Sequence, residues 1–188
     1  VIQESIYLGN PPDADTLGLK AQHNVAVGIT ALDAITIGDK NVAMGYDALL
    51  KNTTGKQNVA IGHQALEDNI SGNYNTALGE EALLNNTTAR SNTAIGHECM
   101  KYNKTAEFNT AIGEAAMKDH LSGDNNVVIG REALKDNNIK AENNVVIGVW
   151  ALKEGTCGDN NVVIGHRAQY DGKSYDNTIC LGYNARVT

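Results

Sequence analysis

The sequence has few of the residues that usually build a globular core or a reactive site. Aromatic residues make up 5% of the 188 residues, with one Phe and one Trp, and there are only two Pro and three Cys. Three cysteines are too few for a disulfide framework, and their spacing does not match a zinc site. No apolar run approaches the ~18 residues that a membrane-spanning helix needs. These absences argue against a disulfide-rich module, a zinc module and a membrane-spanning chain.

Positive charge is also scarce, because 15 Lys and Arg are outnumbered by 22 Asp and Glu, which gives a formal net charge of −7. Nucleic-acid binding needs a basic surface, and so does charge-driven adhesion to anionic lipid. Neither nucleic acid nor a membrane is therefore expected as a partner. The sequence also has no phosphate-binding loop, nucleophile elbow or zinc signature. We predict that the chain is not an enzyme and has no catalytic residue, metal or cofactor.

What the sequence does contain is a glycine that returns every 17 residues, with one step of 18 between Gly130 and Gly148. The same phrase surrounds it each time, as in Asn-Val-Ala-Ile-Gly-His-Gln-Ala-Leu at residues 58–66. A fixed period with a fixed internal pattern means that one structural unit is stacked on itself. We predict that this glycine marks a corner of the unit, where the backbone needs a positive φ or a close approach. The predicted corner glycines are Gly28, Gly45, Gly62, Gly79, Gly96, Gly113, Gly130, Gly148, Gly165 and Gly182.

The unit itself reads as strands and turns. The residues before the glycine are apolar and often β-branched, which predicts a short strand. Residues 48–50 are predicted to form a second short strand, and residues 52–56 a turn, because Asn, Thr and Gly cluster there. Seventeen residues leave no room for a packed helix. The predicted fold class is therefore all-β, a repetitive parallel β-solenoid or β-roll of about ten coils.

Alternation along the strand separates two faces. Residues at the same position in successive repeats form a column. We assign three columns to the coil interior: the large aliphatic residues directly before the glycine, as at Ile61, the Val or Thr three residues before it, as at Val59, and the Leu or Met at the position of Leu66. The column between them is small and apolar, which is unusual for a solvated surface. It predicts a seam between subunits of a homo-oligomer; the alternative is packing under a loop of the same chain. The predicted seam residues are Ala26, Ala43, Ala60, Ala77, Ala94, Ala111, Val128, Val146 and Val163.

Asparagine recurs four residues before the glycine, from Asn24 to Asn161, and Thr178 takes the last position. Side-chain amides stacked at ~4.8 Å can hydrogen-bond along the column, which predicts a structural ladder. Among the cysteines, Cys99 and Cys180 replace small residues in repeat columns and are expected to be buried. Cys157 falls in a predicted turn and could be exposed.

Few polar or aromatic residues stand out from the repeat. His63, His97 and His166 share the position after the glycine with Tyr, Glu and Arg, which predicts a solvated face rather than a metal site. Aromatic residues gather late in the chain, and aromatic faces can stack on sugars. The candidates for a glycan contact are Trp150, Tyr170, Tyr175 and Tyr183.

The phrase at residues 58–66 and its relatives resembles the head repeats of trimeric autotransporter adhesins of the YadA type. It resembles equally the Asn- and Gly-rich repeats of bacteriophage tail fibres and related viral fibres. The likeness covers residues 20–188 and implies a left-handed parallel β-roll that assembles as a homotrimer. The adhesin repeat is usually shorter and carries Ser where Asn24 and its equivalents stand. The Asn-Thr-Thr-Gly turn at residues 52–55 favours the viral version.

The function expected from the repeat and the resemblance is a structural segment of a trimeric phage or viral tail fibre in the virion, serving host-cell attachment. One alternative is the head of a bacterial trimeric adhesin at the cell surface or outside the cell. A remote alternative is an ice-binding β-solenoid, for which Thr76, Thr93 and Thr110 form one short column on the face assigned to the interior. The expected partners are copies of the chain itself, further fibre domains or subunits at the coil ends, and a host glycan or protein receptor.

The chain is expected to have two parts. Residues 1–22 read as an irregular segment with a degenerate first coil at residues 6–9, and residues 23–188 as β-solenoid repeats. Because the sequence begins with Val1 and the last repeat is cut short, we expect a fragment of a longer fibre.

Overall fold

The computed structural model describes residues 6–8, 21–136, 140–154, 157–169 and 175–187. Over these ranges the chain forms eleven short strands and no helix, and therefore no helix that could cross a membrane. The strands are β1 (Ile6–Leu8), β2 (Val25–Val27), β3 (Val42–Met44), β4 (Val59–Ile61), β5 (Thr76–Leu78), β6 (Thr93–Ile95), β7 (Thr110–Ile112), β8 (Val127–Ile129), β9 (Val145–Ile147), β10 (Val162–Ile164) and β11 (Ile179–Leu181).

All eleven strands lie in one parallel sheet in chain order, so each coil of the chain adds one strand beside the previous one. Val59 pairs with Val42 on one side and with Thr76 on the other, which places each residue beside its equivalent in the next repeat. The 18-residue step keeps this register, because Val127 pairs with Val145. The predicted all-β parallel solenoid is confirmed. Residues 1–5 and 9–20, which hold most of the predicted irregular segment, lie outside the described residues.

Strand β1 belongs to the same stack, because Tyr7 pairs with Ala26 of β2. The degenerate first unit predicted at residues 6–9 therefore supplies a strand to the solenoid.

The second strand predicted at residues 48–50 is not formed. Asp47 and Leu49 have φ values of 56° and 52°, in the left-handed region that non-glycine residues seldom enter. The Leu49 N–H donates to the Ala65 carbonyl of the next coil at 3.0 Å, and the Leu50 N–H donates to the Asp47 carbonyl at 3.3 Å. Bonds between coils thus alternate with tight turns within a coil, and this alternation holds the unusual backbone in place.

The two faces of the strands are the reverse of the predicted assignment. The side chains of Ala43, Ala60 and Ala94 are fully buried, whereas 42% of Met44 and 43% of Leu78 is exposed. The core is built from this small column together with a second alanine column after the glycine and the Leu/Met column of Leu66. Because Leu or Met enters the thin coil from one wall, the opposite wall has room only for a small side chain.

The predicted subunit seam is therefore wrong, although the predicted interior position of the Leu/Met column is confirmed. The nine residues assigned to the seam pack inside a single chain and cannot meet another subunit. They are Ala26, Ala43, Ala60, Ala77, Ala94, Ala111, Val128, Val146 and Val163, each at most 3% exposed.

The corner glycines have the positive φ and the close approach of the next coil that the repeat predicts. Their φ values run from 119° at Gly182 to 142° at Gly165. A Cβ atom placed on Gly62 would lie 2.5 Å from the carbonyl oxygen of Gly79 in the next coil. Positive φ and close stacking of coils therefore both demand glycine at this corner.

The predicted asparagine ladder is present and buried. The backbone N–H of Asn58 donates to Oδ1 of Asn41 at 3.0 Å, and its side-chain amide donates to the Gly72 carbonyl at 2.8 Å. At the last position, the Thr178 hydroxyl donates to Oδ1 of Asn161 at 2.7 Å. The ladder satisfies polar backbone groups that would otherwise be buried without partners.

A second buried ladder runs through the turn and was not predicted. Asn52 was predicted to lie in a turn, and in the structure all five members of the ladder are fully buried: Asn52, Asn69, Asn86, Asn103 and His120. Asn69 donates to Oδ1 of Asn52 at 2.7 Å, and the bond repeats from Asn86 to Asn69 at 2.8 Å. The five coils from Asn52 to His120 therefore carry two buried polar columns.

The prediction is confirmed for two of the cysteines and wrong for the third. Cys99 and Cys180 are buried as predicted, but Cys157 is also buried, at 3% exposure. Cys157 joins the hydrophobic cluster of the core.

Candidate functional site

The largest unpartnered apolar feature of the described residues is the outer face of the sheet. We define the outer sheet face as the side chains one and three residues before each corner glycine. Those of Ile112, Ile129 and Ile164 are 36–37% exposed. Strands spaced at ~4.8 Å make this strip about 50 Å long, and its two columns lie about 7 Å apart. Its members are Val25, Val27, Val42, Met44, Val59, Ile61, Thr76, Leu78, Thr93, Ile95, Thr110, Ile112, Val127, Ile129, Val145, Ile147, Val162, Ile164, Ile179 and Leu181.

No member of the outer sheet face is charged. Contiguous apolar patches of this extent are rare on soluble monomers and mark contact surfaces. The assignment of Thr76, Thr93 and Thr110 to the interior was wrong, since all three are half-buried on this outer face.

The position after the corner glycine forms a separate, exposed column. His63, His97 and His166 are all exposed there, which confirms the predicted solvated face. His63 stacks on Tyr46 with ring centroids 5.6 Å apart and lies 3.5 Å from a carboxylate oxygen of Glu80.

One cluster on this side has the composition of a metal site. Ligand atoms of Glu81, His97 and Glu98 lie within 4.8 Å of one another. Both carboxylates are already paired, because Lys101 Nζ lies 2.6 Å from Glu81 and 2.9 Å from Glu98, and Lys118 Nζ lies 2.6 Å from Glu98. Hydrogen bonds from Lys118 and Lys101 lower the pKa of Glu98 to about 2. The cluster is a salt-bridge network, and a cation would have to displace two lysines to bind there.

A second surface lies beside strands β8 to β11, around Trp150. Arg131, from the coil of β8, places its guanidinium carbon 5.2 Å from the centroid of the Trp150 ring. Arg167, from the coil of β10, lies 4.7 Å from the same centroid, and Lys153 Nζ lies 5.7 Å from it. The indole thus sits between cations from the preceding and following coils.

A row of rings continues from Trp150 toward the last coil. The His166 ring lies 5.5 Å from Trp150 and 5.5 Å from Tyr183, and 69% of Tyr183 is exposed. We define the arginine–aromatic patch as Arg131, Trp150, His166, Arg167 and Tyr183.

Of the three predicted glycan-contact residues that the structure describes, it brings two together, Trp150 and Tyr183. Tyr175 is half-buried, and its hydroxyl donates to the Val187 carbonyl at 3.4 Å. Tyr170 lies outside the described residues. A gap lined in part by Tyr175, Cys157 and Gln169 has no room for a water molecule, so it is not a ligand site.

The arginines of the patch lack acidic partners. No carboxylate in the described ranges lies within ion-pairing distance of Arg131 or Arg167, whereas Lys153 Nζ lies 2.6 Å from Glu132. The hydrogen bond from Lys153 lowers the pKa of Glu132, so this carboxylate is ionised and already paired.

The sequence carries a signal for this patch that was missed. The residue two positions after the corner glycine is acidic in several coils, as at Glu98 and Glu132. In the next two coils Trp150 and Arg167 take this position.

No protein-family model, curated protein or solved structure matches the chain. The outer sheet face and the arginine–aromatic patch are therefore the features that bear on function.

Proposed function

We propose that the chain is a structural, non-enzymatic rod that self-associates through the outer sheet face. In this proposal it is a segment of a trimeric phage or viral tail fibre that serves host-cell attachment. The observation that carries the proposal is the uncharged, mainly aliphatic strip along the stack. Covering this strip would supply burial that a thin coil lacks, since its own core is mostly alanine with one Leu or Met per coil.

The position of the strip favours a closed assembly around an axis parallel to the rod. The outer sheet face carries no charged residue, while the columns after the corner glycine carry His, Glu, Arg and Lys. Three chains can each turn one strip toward a common axis and keep their charged sides in water, and closed symmetry prevents open-ended aggregation. The number three and a left-handed coil come from the resemblance to fibre and adhesin repeats.

The test is the mass of the full chain in solution, by light scattering and sedimentation. A homotrimer would have three times the 20.0 kDa mass of one chain. Ile112→Lys puts a charge on the outer sheet face and should dissociate the assembly. Ile70→Lys is the matched control, because Ile70 is 46% exposed in a turn away from this face. A monomeric wild-type chain would contradict self-association, and a dimer would contradict the trimer.

The same rod would also suit the head of a bacterial adhesin. The place where the protein is found distinguishes the two functions. Recovery of the chain in thin fibres of purified virions supports the viral proposal, while recovery only from bacterial surfaces favours the adhesin. The outward position of Thr76, Thr93 and Thr110 gives the ice-binding alternative one supporting observation. Val or Ile fills that column in the other coils, and thermal hysteresis of the purified chain would test this alternative directly.

A further inference from the structure

We infer that the arginine–aromatic patch binds a linear acidic polysaccharide, with Arg131 and Arg167 holding separate anionic groups and Tyr183 stacking on a sugar ring. The inference deepens the proposed attachment function and rests on it. Its surface is distinct from the outer sheet face, so the two proposals can fail independently.

The first argument is that both guanidinium groups are positioned in advance. Arg131 and Arg167 approach the Trp150 ring from the coils before and after it, at 5.2 and 4.7 Å. A guanidinium held over an aromatic ring keeps in-plane N–H donors that suit carboxylate and sulfate groups. Holding the side chains in place before binding lowers the entropy lost when a ligand is bound.

The second argument is that neither guanidinium forms a salt bridge within the described ranges, although the chain is acidic. Arg90 offers a comparison, because its guanidinium carbon also lies over a ring, 5.5 Å from the Phe108 centroid. Arg90 Nε, however, donates to a carboxylate oxygen of Glu107 at 3.0 Å. Within the described ranges Arg131 and Arg167 have no such partner, so their donors are available to an external anion.

The third argument is spacing, which favours a polymer over a small anion. Arg131 and Arg167 belong to coils two steps apart, about 9–10 Å along the stack. A chain with charges at intervals can place one anionic group on each arginine. Because the two arginines cover Trp150, the ring available for sugar stacking is Tyr183, which lies two coils after Trp150 and is 69% exposed.

A sparsely charged polysaccharide fits this surface better than a nucleic acid. Nucleic acids bind through a dense row of phosphates that needs many cations. Here two free arginines stand on a chain of net charge −7, so a densely charged duplex would be repelled elsewhere along the rod.

The test measures binding of the full chain to hyaluronan, which carries a carboxylate on alternate sugars, by calorimetry at low salt. Neutral dextran and duplex DNA are the comparison ligands. We expect binding to hyaluronan alone, and a loss of roughly tenfold or more in Arg131→Gln and in Arg167→Gln, since each removes a charge-assisted contact. Tyr183→Ala should also weaken binding. Arg90→Gln is the matched control and should leave the affinity unchanged.

Three results would overturn the inference: no binding to hyaluronan, equal binding to DNA, or an equal loss in Arg90→Gln. Light scattering on the same samples separates this failure from that of the proposed function. Correctly assembled protein that does not bind overturns the patch alone, whereas a monomer that binds through Arg131 and Arg167 overturns the self-associating rod alone.

Discussion

The side-chain amide of Asn86 donates to Oδ1 of Asn69 at 2.8 Å, and both residues are fully buried. The neighbouring Asn85 instead reaches a carboxylate oxygen of Asp68 at 2.8 Å near the surface. Two adjacent asparagines in one turn thus have different energetic roles.

This contrast gives a matched pair of variants. Asn86→Ala should lower the free energy of unfolding by about 1–3 kcal/mol, because it leaves a buried acceptor on Asn69 without its donor. Asn85→Ala should cost less than about 1 kcal/mol, since water can replace a bond near the surface. Denaturant unfolding of both variants checks the prediction, and equal losses would show that the second ladder is not a stabilising element.

Alanine substitutions at two corner glycines should distinguish the loss of stability caused by backbone strain from the loss caused by steric overlap. Gly62 has φ 135° and its added Cβ would lie 2.5 Å from the Gly79 carbonyl oxygen, whereas Gly182 has φ 119° with no atom within 4 Å of its Cβ. Gly62→Ala should therefore cost at least about 1 kcal/mol more than Gly182→Ala, because overpacking adds to strain. Melting temperatures of the two variants measure the difference, and a larger loss in Gly182→Ala would refute it.

Val127 and Val128 are adjacent in one strand and point to opposite faces, with 37% and 0% exposure. Val128→Ala should destabilise the fold by about 2 kcal/mol at any protein concentration, because it opens a cavity in the core. Val127→Ala should act mainly through association, so its effect should depend on concentration. Unfolding curves at two concentrations a hundredfold apart distinguish these outcomes. The reverse pattern would restore the small column as the subunit contact.

His120 should make stability depend on pH. Burial holds the pKa of His120 below its ordinary value, and its Nδ1 has no hydrogen-bond partner within the described structure. The unfolded chain therefore binds a proton more readily, so this contribution is complete above about pH 6.5. It is lost as pH falls toward the folded-state pKa, with a slope of at most about 1.4 kcal/mol per pH unit.

Denaturant midpoints of the wild type between pH 8 and pH 5 measure this slope. His120→Asn restores the residue of the other four ladder positions and should flatten the profile in this range. His97→Asn is the control, because His97 is exposed. An unchanged profile in His120→Asn would assign the dependence to other groups.

The cysteines should be unreactive while the chain is folded. Burial raises the pKa of Cys99 and of Cys157 to about 12, and Cys180 is 3% exposed. At pH 8 almost no thiolate is present to attack a disulfide reagent. Titration with such a reagent should detect no thiol in the native chain and three after unfolding. Rapid labelling of native Cys157 would contradict its buried position.

Periodicity predicted the stack, its parallel pairing, the corner glycines and the first ladder, because each depends on residues repeating in register. It could not decide which strand face is inside. Alternation separates Ala60 from Ile61, but the choice between them depends on the coil's width. Leu66 and its equivalents fill part of that width, and the buried strand column holds only small residues, Ala or Val.

The left-handed turns were missed for a different physical reason. Leucine has no preference for positive φ, and Leu49 adopts it because bonds to the next coil compensate for the strain. The arginine–aromatic patch was predicted only in part, since Trp150 and Tyr183 were selected as aromatic residues. Its charge arises when three coils place Arg131 and Arg167 around one ring, which spacing along the chain does not reveal.

The first asparagine ladder gives the rod a direction. Each Oδ1 atom accepts from the coil that follows, as Asn109 accepts from the Asn126 backbone at 2.9 Å and side chain at 3.0 Å. Within this column, the side facing the next coil therefore offers Oδ1 acceptors, and the side facing the previous coil offers N–H donors. A coil added in reverse would set Oδ1 against Oδ1 in this column, so the ladder favours joining whole repeats head to tail.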